Sequence, residues 1–460
     1  QVTPLKKLDL MWQSKTIILT AILVFLSAAG YVLLGYFTTQ ENFFVNFAFY
    51  SITFGAFIGL YLLRDSFSSK TLWKLTLLMH GILLCSIPTL SPDVYRFLWD
   101  GELIVKGIHP YAFTPNELVN SGILEMTPYM SQLYASITDL SRVNYSVYPT
   151  LNQFYFVIPA VLTESVFSGI LVMRIIMLLT LIIGIYFIQK TLEELLIPEK
   201  QVFLFALNPL LIIEATGNLH FEGVMFSLFA IAVYFMVREK WWISALFVAL
   251  AINVKLTPLL LLPFFLNYLG WKKSMLFYLT TLSSSALLLM VFLWPSMTAN
   301  FLQSVELYFN NFEFNSSFYR FSTYLFRPIL IYDIAFIIGP LLSKIALIVI
   351  LLLAIYSLKK GRESLFTFFL TGYVVYLLFS TTIHPWYLII PLGFCVYTRY
   401  NFMIYWSFIV FLSYSFYALG NSKWVDVLVA IEYIGLLMFV LLEHKKRGPI
   451  KDLFARLPRP

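Results

Sequence analysis

Apolar runs of roughly 17–25 residues recur along the whole chain, and that is the length a helix needs to cross the hydrocarbon core of a bilayer. In lipid every backbone N–H and C=O must find its partner within the segment, so such runs can only be helices or a closed barrel, and their length favours helices. The 460-residue chain is 60% hydrophobic and only 12% charged, about half the charge of a soluble domain. An all-α polytopic integral membrane protein follows, with one membrane domain over 1–460.

Candidate spans fall near 16–37, 43–63, 71–90, 168–188, 201–216, 223–237, 242–254, 256–269, 274–295, 331–357, 364–381, 386–398, 402–420 and 425–442, fourteen in all. The first lacks the small-residue cleavage pattern of a signal peptide and is read as a retained span. Alternate connections carry Lys and Arg, whereas the short loops 38–42, 217–222 and 382–385 carry none. The positive-inside rule then places both termini, including a basic tail over 443–460, in the cytoplasm. Residues 152–165 contain Pro159 and Glu164 and are read as an interfacial or re-entrant helix. The pair 242–254 and 256–269 is short enough to be a hairpin within the outer leaflet.

This topology puts two long segments, 91–167 and 296–330, on the outer face. The net charge of +7 is accounted for by membrane orientation, so no nucleic-acid partner is expected. The inner loops are too short to hold a nucleotide, and no Gly-rich phosphate loop is present. Cys85 and Cys395 lie in apolar runs and are read as small buried hydrophobes, which argues against a disulfide or a zinc site.

Carboxylates are costly next to a membrane, so those that remain are candidates for chemistry. Ser91-Pro92 suits a helix start and Gly107 a helix end. Between them Asp93, Arg96 and Asp100 share one stripe at i, i+3 and i+7. A surface ion pair of Arg96 with Asp100 competes with a catalytic role for Asp100; Asp93 has no such partner. Asn218, His220 and Glu222 form a polar turn between two spans. They could bind substrate, or join Asp93 and Asp100 around a divalent ion, although the spacing does not favour metal and no cofactor is expected. Lys255 interrupts an apolar stretch, either snorkelling to the interface or meeting an anion such as a lipid phosphate. Asn315 and Arg320 lie in an aromatic belt, and His384-Pro385-Trp386-Tyr387 forms another interfacial turn whose rings could stack on a sugar.

In this order, these motifs resemble the GT-C superfamily of membrane glycosyltransferases. The likeness is nearest to the bacterial mannosyltransferases of glycosyltransferase family 87 and looser to the catalytic subunit of the first eukaryotic GPI mannosyltransferase. The matching residues are Asp93, Tyr95, Gly107, Pro110 and Tyr111 with His109 between; Tyr148-Pro149, where Thr150 departs from a second proline; Asn208-Pro209 and Gly217-Asn218-Leu219-His220-Phe221-Glu222, with Glu in place of Asp; Val254-Lys255-Leu256-Thr257-Pro258; and His384-Pro385-Trp386-Tyr387. The eukaryotic likeness rests on Asn315-Ser316 and Tyr319.

The resemblance implies a GT-C-type bundle in a bacterial inner membrane with its site on the outer face. It implies transfer of one sugar, mannose, from a polyprenyl-phosphate donor to a glycan, lipid or protein acceptor. Asp93 would be the base and Asp100 a second catalytic carboxylate. Lys255, aided by Arg320 or His384, would hold the donor phosphate. Tyr95, Arg96, His109, Tyr111, Tyr148, Asn218, His220, Glu222, Asn315, Trp386 and Tyr387 would line the substrates. A phosphate leaving group departs without a proton, so one base suffices and a single displacement inverts the anomeric carbon. The competing functions are a lipid-linked-sugar flippase, opposed by spans nearly free of Asp and Glu, and a polysaccharide polymerase or ligase using a pyrophosphate carrier.

Overall fold

The structure is a computed structural model that describes residues 4–306, 312–326 and 335–447. Every described element is helical, and the only extended pairing among the described residues is an isolated parallel bridge between Phe314 and Thr382. Seven described helices are long and apolar enough to cross a membrane: Thr16–Tyr36, Phe43–Leu62, Val166–Glu194, Ile337–Ser357, Arg362–Phe379, Phe402–Leu419 and Lys423–Lys445. An eighth span results if Pro209–Gly217 and Glu222–Val237, bent by 111° at the break between them, count as one.

Fourteen spans are therefore not found among the described residues. The Ser69–Ile82 helix has 14 residues, about 21 Å at 1.5 Å per residue, short of the ~30 Å core. Trp241–Ile252, Thr257–Leu269 and Pro385–Cys395 are shorter still. The stretch 201–216 breaks into several short turns, and the Trp271–Leu289 helix begins Trp-Lys-Lys and is rich in Ser and Thr. The physical reason is that a helix can be apolar all round because protein surrounds it. Every residue from Val202 to Val233 is buried, so its hydrophobicity reports the centre of the bundle rather than lipid. With seven described spans, or eight if the bent pair is one, the charge alternation no longer fixes the side of each terminus. The tail beyond 447 and residues 307–311 of the aromatic belt lie outside the described residues.

Two local features position the site. The first is the Asp93–Val105 helix, which starts one residue later than its sequence suggests, with Pro92 at the cap and Ser91 Oγ accepting from the Asp93 N–H at 3.4 Å. It ends at Gly107, whose φ of 73° lets the Ile108 N–H reach back to the Leu103 carbonyl at 2.8 Å, a left-handed cap that glycine adopts without strain. The helix packs on Thr150–Leu162, a 13-residue helix over the stretch read from the sequence as an interfacial or re-entrant helix. Contact is so close at Gly101 that an added Cβ would sit 2.1 Å from the Phe156 carbonyl oxygen.

The second feature is the break at 212–221. Ile212–Gly217 winds as a π-helix, a form often met at functional sites, and Leu219 then takes a φ of 63°, unusual for a branched residue. Fully buried Arg174 from the Val166–Glu194 helix donates to the carbonyls of Thr216 at 2.8 Å, Gly217 at 3.0 Å and Leu84 at 2.8 Å. One guanidinium thus satisfies the carbonyls released at the break, and ties it to the end of the third helix. Of the two cysteines, Cys395 is buried as expected but Cys85 is exposed.

Candidate active site

A cavity of about 630 Å³ opens between these elements. Its polar lining includes Asp93, His220, Glu222, Lys255, His384 and Tyr417. Its apolar lining includes Leu256, Leu259 and Leu260 from one segment and Ala346, Leu347 and Ile350 from the Ile337–Ser357 helix packed against it. Leu259 and Leu347 are 38% and 47% exposed, so this wall continues to the outer surface of the bundle.

Asp93 stands at the first turn of its helix, with 38% of its side chain open to the cavity. Burial against the bundle and the nearby Glu222 charge push its carboxyl up to about 6, opposed by Ser91 and Lys255. Such a group is ionised at neutral pH and still basic enough to take a proton. Its Oδ2 lies 3.9 Å from His220 Nδ1, while His220 Nε2 lies 3.6 Å from Glu214 Oε2.

The His220 ring is fixed by stacking. It lies 3.5 Å from the Trp386 ring at 13°, and His384 covers the opposite face of Trp386 at 4.3 Å and 5°. Phe314 extends the stack at 4.5 Å from His384. With both faces covered, Trp386 offers a sugar only its edge. Burial and the Lys255 charge lower His384 to about 3, so it enters the cavity neutral, its Nδ1 without a hydrogen-bond partner. Lys255 forms an ion pair with Glu222, and its Nζ lies 3.9 Å over the Tyr387 ring. The phosphate-binding cation expected from the sequence is therefore engaged by a carboxylate and an aromatic face.

The structure gathers Asp93, Tyr148, His220, Glu222, Lys255, His384, Trp386 and Tyr387 around one cavity. The others sit elsewhere. Asp100 is sealed from solvent, accepting from Arg96 Nε at 2.8 Å and from Ser146 Oγ at 2.5 Å. Arg96 also donates to the carbonyls of Ser141 at 2.6 Å and Asn144 at 3.0 Å. The expected surface ion pair is thus a buried latch that pins the 141–148 loop to the helix. Tyr111 donates to the Tyr148 carbonyl at 2.5 Å, and His109 packs on Tyr111 and Trp294. Tyr95 is half-buried against the core. Asn218 accepts from the Leu90 N–H at 3.1 Å, tying the turn to the entry of the Asp93–Val105 helix. Asn315 donates to Glu432 at 3.3 Å, and Arg320 is paired with Glu313 at 2.9 Å and Asp426 at 3.1 Å.

Among the buried charged residues that sequence reasoning passed over are Arg174, Glu214 and Glu432. Each lies in a predicted span, and a charge inside an apolar run was the signal to follow. Among the described residues no three His, Cys, Asp or Glu side chains are grouped as a metal site.

The family described as "Alpha-(1->6)-mannopyranosyltransferase, N-terminal domain" matches residues 8–270, more than half of the chain. Over 208 residues the chain is 24% identical to alpha-(1->6)-mannopyranosyltransferase A of Mycobacterium tuberculosis, covering 45% of this chain and 38% of that protein. Over 193 residues it is 24% identical to the enzyme of the same name from Corynebacterium glutamicum, covering 40% of this chain and 35% of that protein. The matched region thus spans little more than a third of either relative.

Proposed function

The chain belongs to the alpha-(1->6)-mannopyranosyltransferase family, and from that membership we propose that it transfers a mannosyl residue from a polyprenyl-phosphate donor to the primary 6-hydroxyl of a mannoside acceptor. The observation that carries this reading is the mixed lining of the cavity, where Asp93, His220, Glu222 and Lys255 share the space with a leucine-rich wall that reaches the bundle surface. That lining suits an amphiphile: a phosphate-linked sugar among the polar groups and a prenyl tail along the wall.

In this mechanism Asp93 takes the proton of the acceptor hydroxyl as its oxygen attacks the anomeric carbon. The bond from that carbon to the phosphate oxygen breaks, and the lipid phosphate leaves with the electron pair. Lys255 neutralises the phosphate as charge develops, and must exchange Glu222 for it on the way. His384 supplies a neutral hydrogen bond. An α-linked product formed by a single inverting displacement requires a β-linked donor. No metal enters this scheme. The site lies on the outer face, where the donor sugar arrives already flipped; a cysteine placed at exposed Ser121, with Cys85 and Cys395 replaced, would then label from outside intact cells.

Buried Glu214 and Glu432 remove the argument that this bundle lacks interior carboxylates, so a lipid-linked-sugar flippase is the second reading. One experiment separates the two. Purified protein is incubated with synthetic polyprenyl-phosphate β-mannose and octyl α-mannoside, and products are read by mass spectrometry. One added hexose on the mannoside supports transfer. Movement of donor across vesicles with no transfer to any acceptor in a mannoside panel would replace it with the flippase.

A further inference from the structure

Glu214 is wholly buried at the middle of the π-helix, and the mechanism above makes no use of it. Its contacts have one polarity. Tyr414 Oη donates to Oε1 at 2.7 Å and Asn218 Nδ2 donates to Oε2 at 3.3 Å. His220 Nε2 is 3.6 Å from Oε2 and has no other hydrogen-bond partner. Donors on both oxygens offset part of the cost of burying a charge on this carboxyl.

That polarity decides the imidazole. With Nε2–H directed at Glu214, the Nδ1 lone pair points toward Asp93, 3.9 Å away. Stacking on Trp386 holds the plane of the ring. The backbone adds to this, since the His220 N–H donates to the Glu214 carbonyl at 3.0 Å. The separations exceed hydrogen-bond length in the unliganded protein, and catalytic contacts commonly shorten when substrate binds.

We propose that Glu214 is a positioning residue for the transfer step, holding His220 as the Nε2–H tautomer so that Nδ1 receives the proton Asp93 takes from the acceptor. The inference rests on Asp93 being the base. The proton passes from the acceptor hydroxyl to an Asp93 oxygen and then to His220 Nδ1. The resulting imidazolium is stabilised by Glu214 and releases its proton to water in the cavity, which restores both groups. A buried carboxylate that fixes the tautomer of a proton-carrying histidine is an arrangement known to affect turnover far more than binding.

The test begins with the unaltered protein. Nitrogen-15 labelling of its five histidines, with His220→Gln to assign the resonance, reads the tautomer directly. Protonated Nε2 with bare Nδ1 is expected; a protonated Nδ1 overturns the proposal even if no Glu214 variant folds. In Glu214→Gln the tautomer preference should weaken and kcat should fall at least about tenfold, with the KM for synthetic polyprenyl-phosphate mannose unchanged. Glu214→Asp should recover part of that loss. A folded Glu214→Gln with normal kcat overturns this inference alone if Asp93→Asn is inactive. A normal kcat in Asp93→Asn instead removes the base assignment on which it rests.

Discussion

The first turn of the Asp93–Val105 helix opens onto the cavity, whereas its third turn is sealed between the 141–148 loop and the Thr150–Leu162 helix. Asp93 and Asp100 share one stripe and one chemistry, yet Asp93 keeps 38% of its side chain open while Asp100 keeps none. Asp100 meets a guanidinium and a hydroxyl at hydrogen-bond distance. Asp93 has the Ser91 hydroxyl, a distant imidazole and the like charge of Glu222 beside it, with Lys255 acting on it from across the cavity. A fully partnered carboxylate holds structure; an under-partnered one facing a cavity is free to take a proton.

The sharpest way to break that comparison is to remove the proton acceptor without changing its shape. Asp93→Asn is expected to lower kcat by about 10²–10⁴, with donor binding and thermal unfolding little altered. In the unaltered enzyme, turnover should fall as pH drops through about 6, because protonation of Asp93 removes the base. A folded Asp93→Asn with normal turnover, or a rate independent of pH between 5 and 7, would make the two aspartates equivalent after all.

Asp100→Asn tests the other half. It leaves Arg96 buried and uncompensated, and breaking one side of a buried ion pair costs about 3–5 kcal/mol. The loss should appear as a lowered unfolding midpoint in detergent, with kcat per folded molecule retained within a fewfold. A stable Asp100→Asn that has lost turnover would mark Asp100 as chemical and the latch as incidental.

Lys255→Met comes next. A charge-assisted contact is worth about 1.5–3 kcal/mol, a 10–150-fold loss of donor affinity. Because Lys255 is already paired with Glu222 in the free protein, the lower end is expected. Glu222→Gln should move affinity the other way, since it removes the anion that competes with phosphate. Titration of the donor against intrinsic fluorescence reads both variants, and unchanged affinity in Lys255→Met would return that lysine to the membrane interface.

The sequence carried the helical membrane class and the nearness of Asp93 to the 218–222 turn, because polar residues in so apolar a chain have few places to go. Span counting failed at 201–216 and 223–237, where apolar composition meant burial in protein. The same error hid Glu214 and Arg174: once a segment is read as a lipid-facing span, a charge within it is easily passed over, though here it holds the break open. The roles of Asp100 and Tyr111 were illegible because both act on residues about 40 positions away, Ser146 and Tyr148. Trp386 looked like a sugar platform, but His220, from a distant part of the chain, and His384, two positions before it, cover its two faces.

The smallest expected effect belongs to Arg320, which sequence motifs grouped with Lys255 as a phosphate ligand. Its guanidinium is 20% exposed and spends its donors on Glu313 and Asp426, and it does not line the cavity. Tyr324 donates to the same Asp426 at 2.5 Å, so the carboxylate keeps a partner if the arginine is lost. A partly exposed pair of this kind is worth about 0–1 kcal/mol. Arg320→Gln should therefore leave donor affinity within about twofold and shift unfolding by a degree or two, roughly what ΔΔG below 1 kcal/mol gives in a chain of this size. A tenfold loss of donor affinity in Arg320→Gln would mean that the 312–326 segment moves onto the cavity when donor binds. The contrast between an engaged arginine and a cavity-facing lysine would then describe only the unliganded protein.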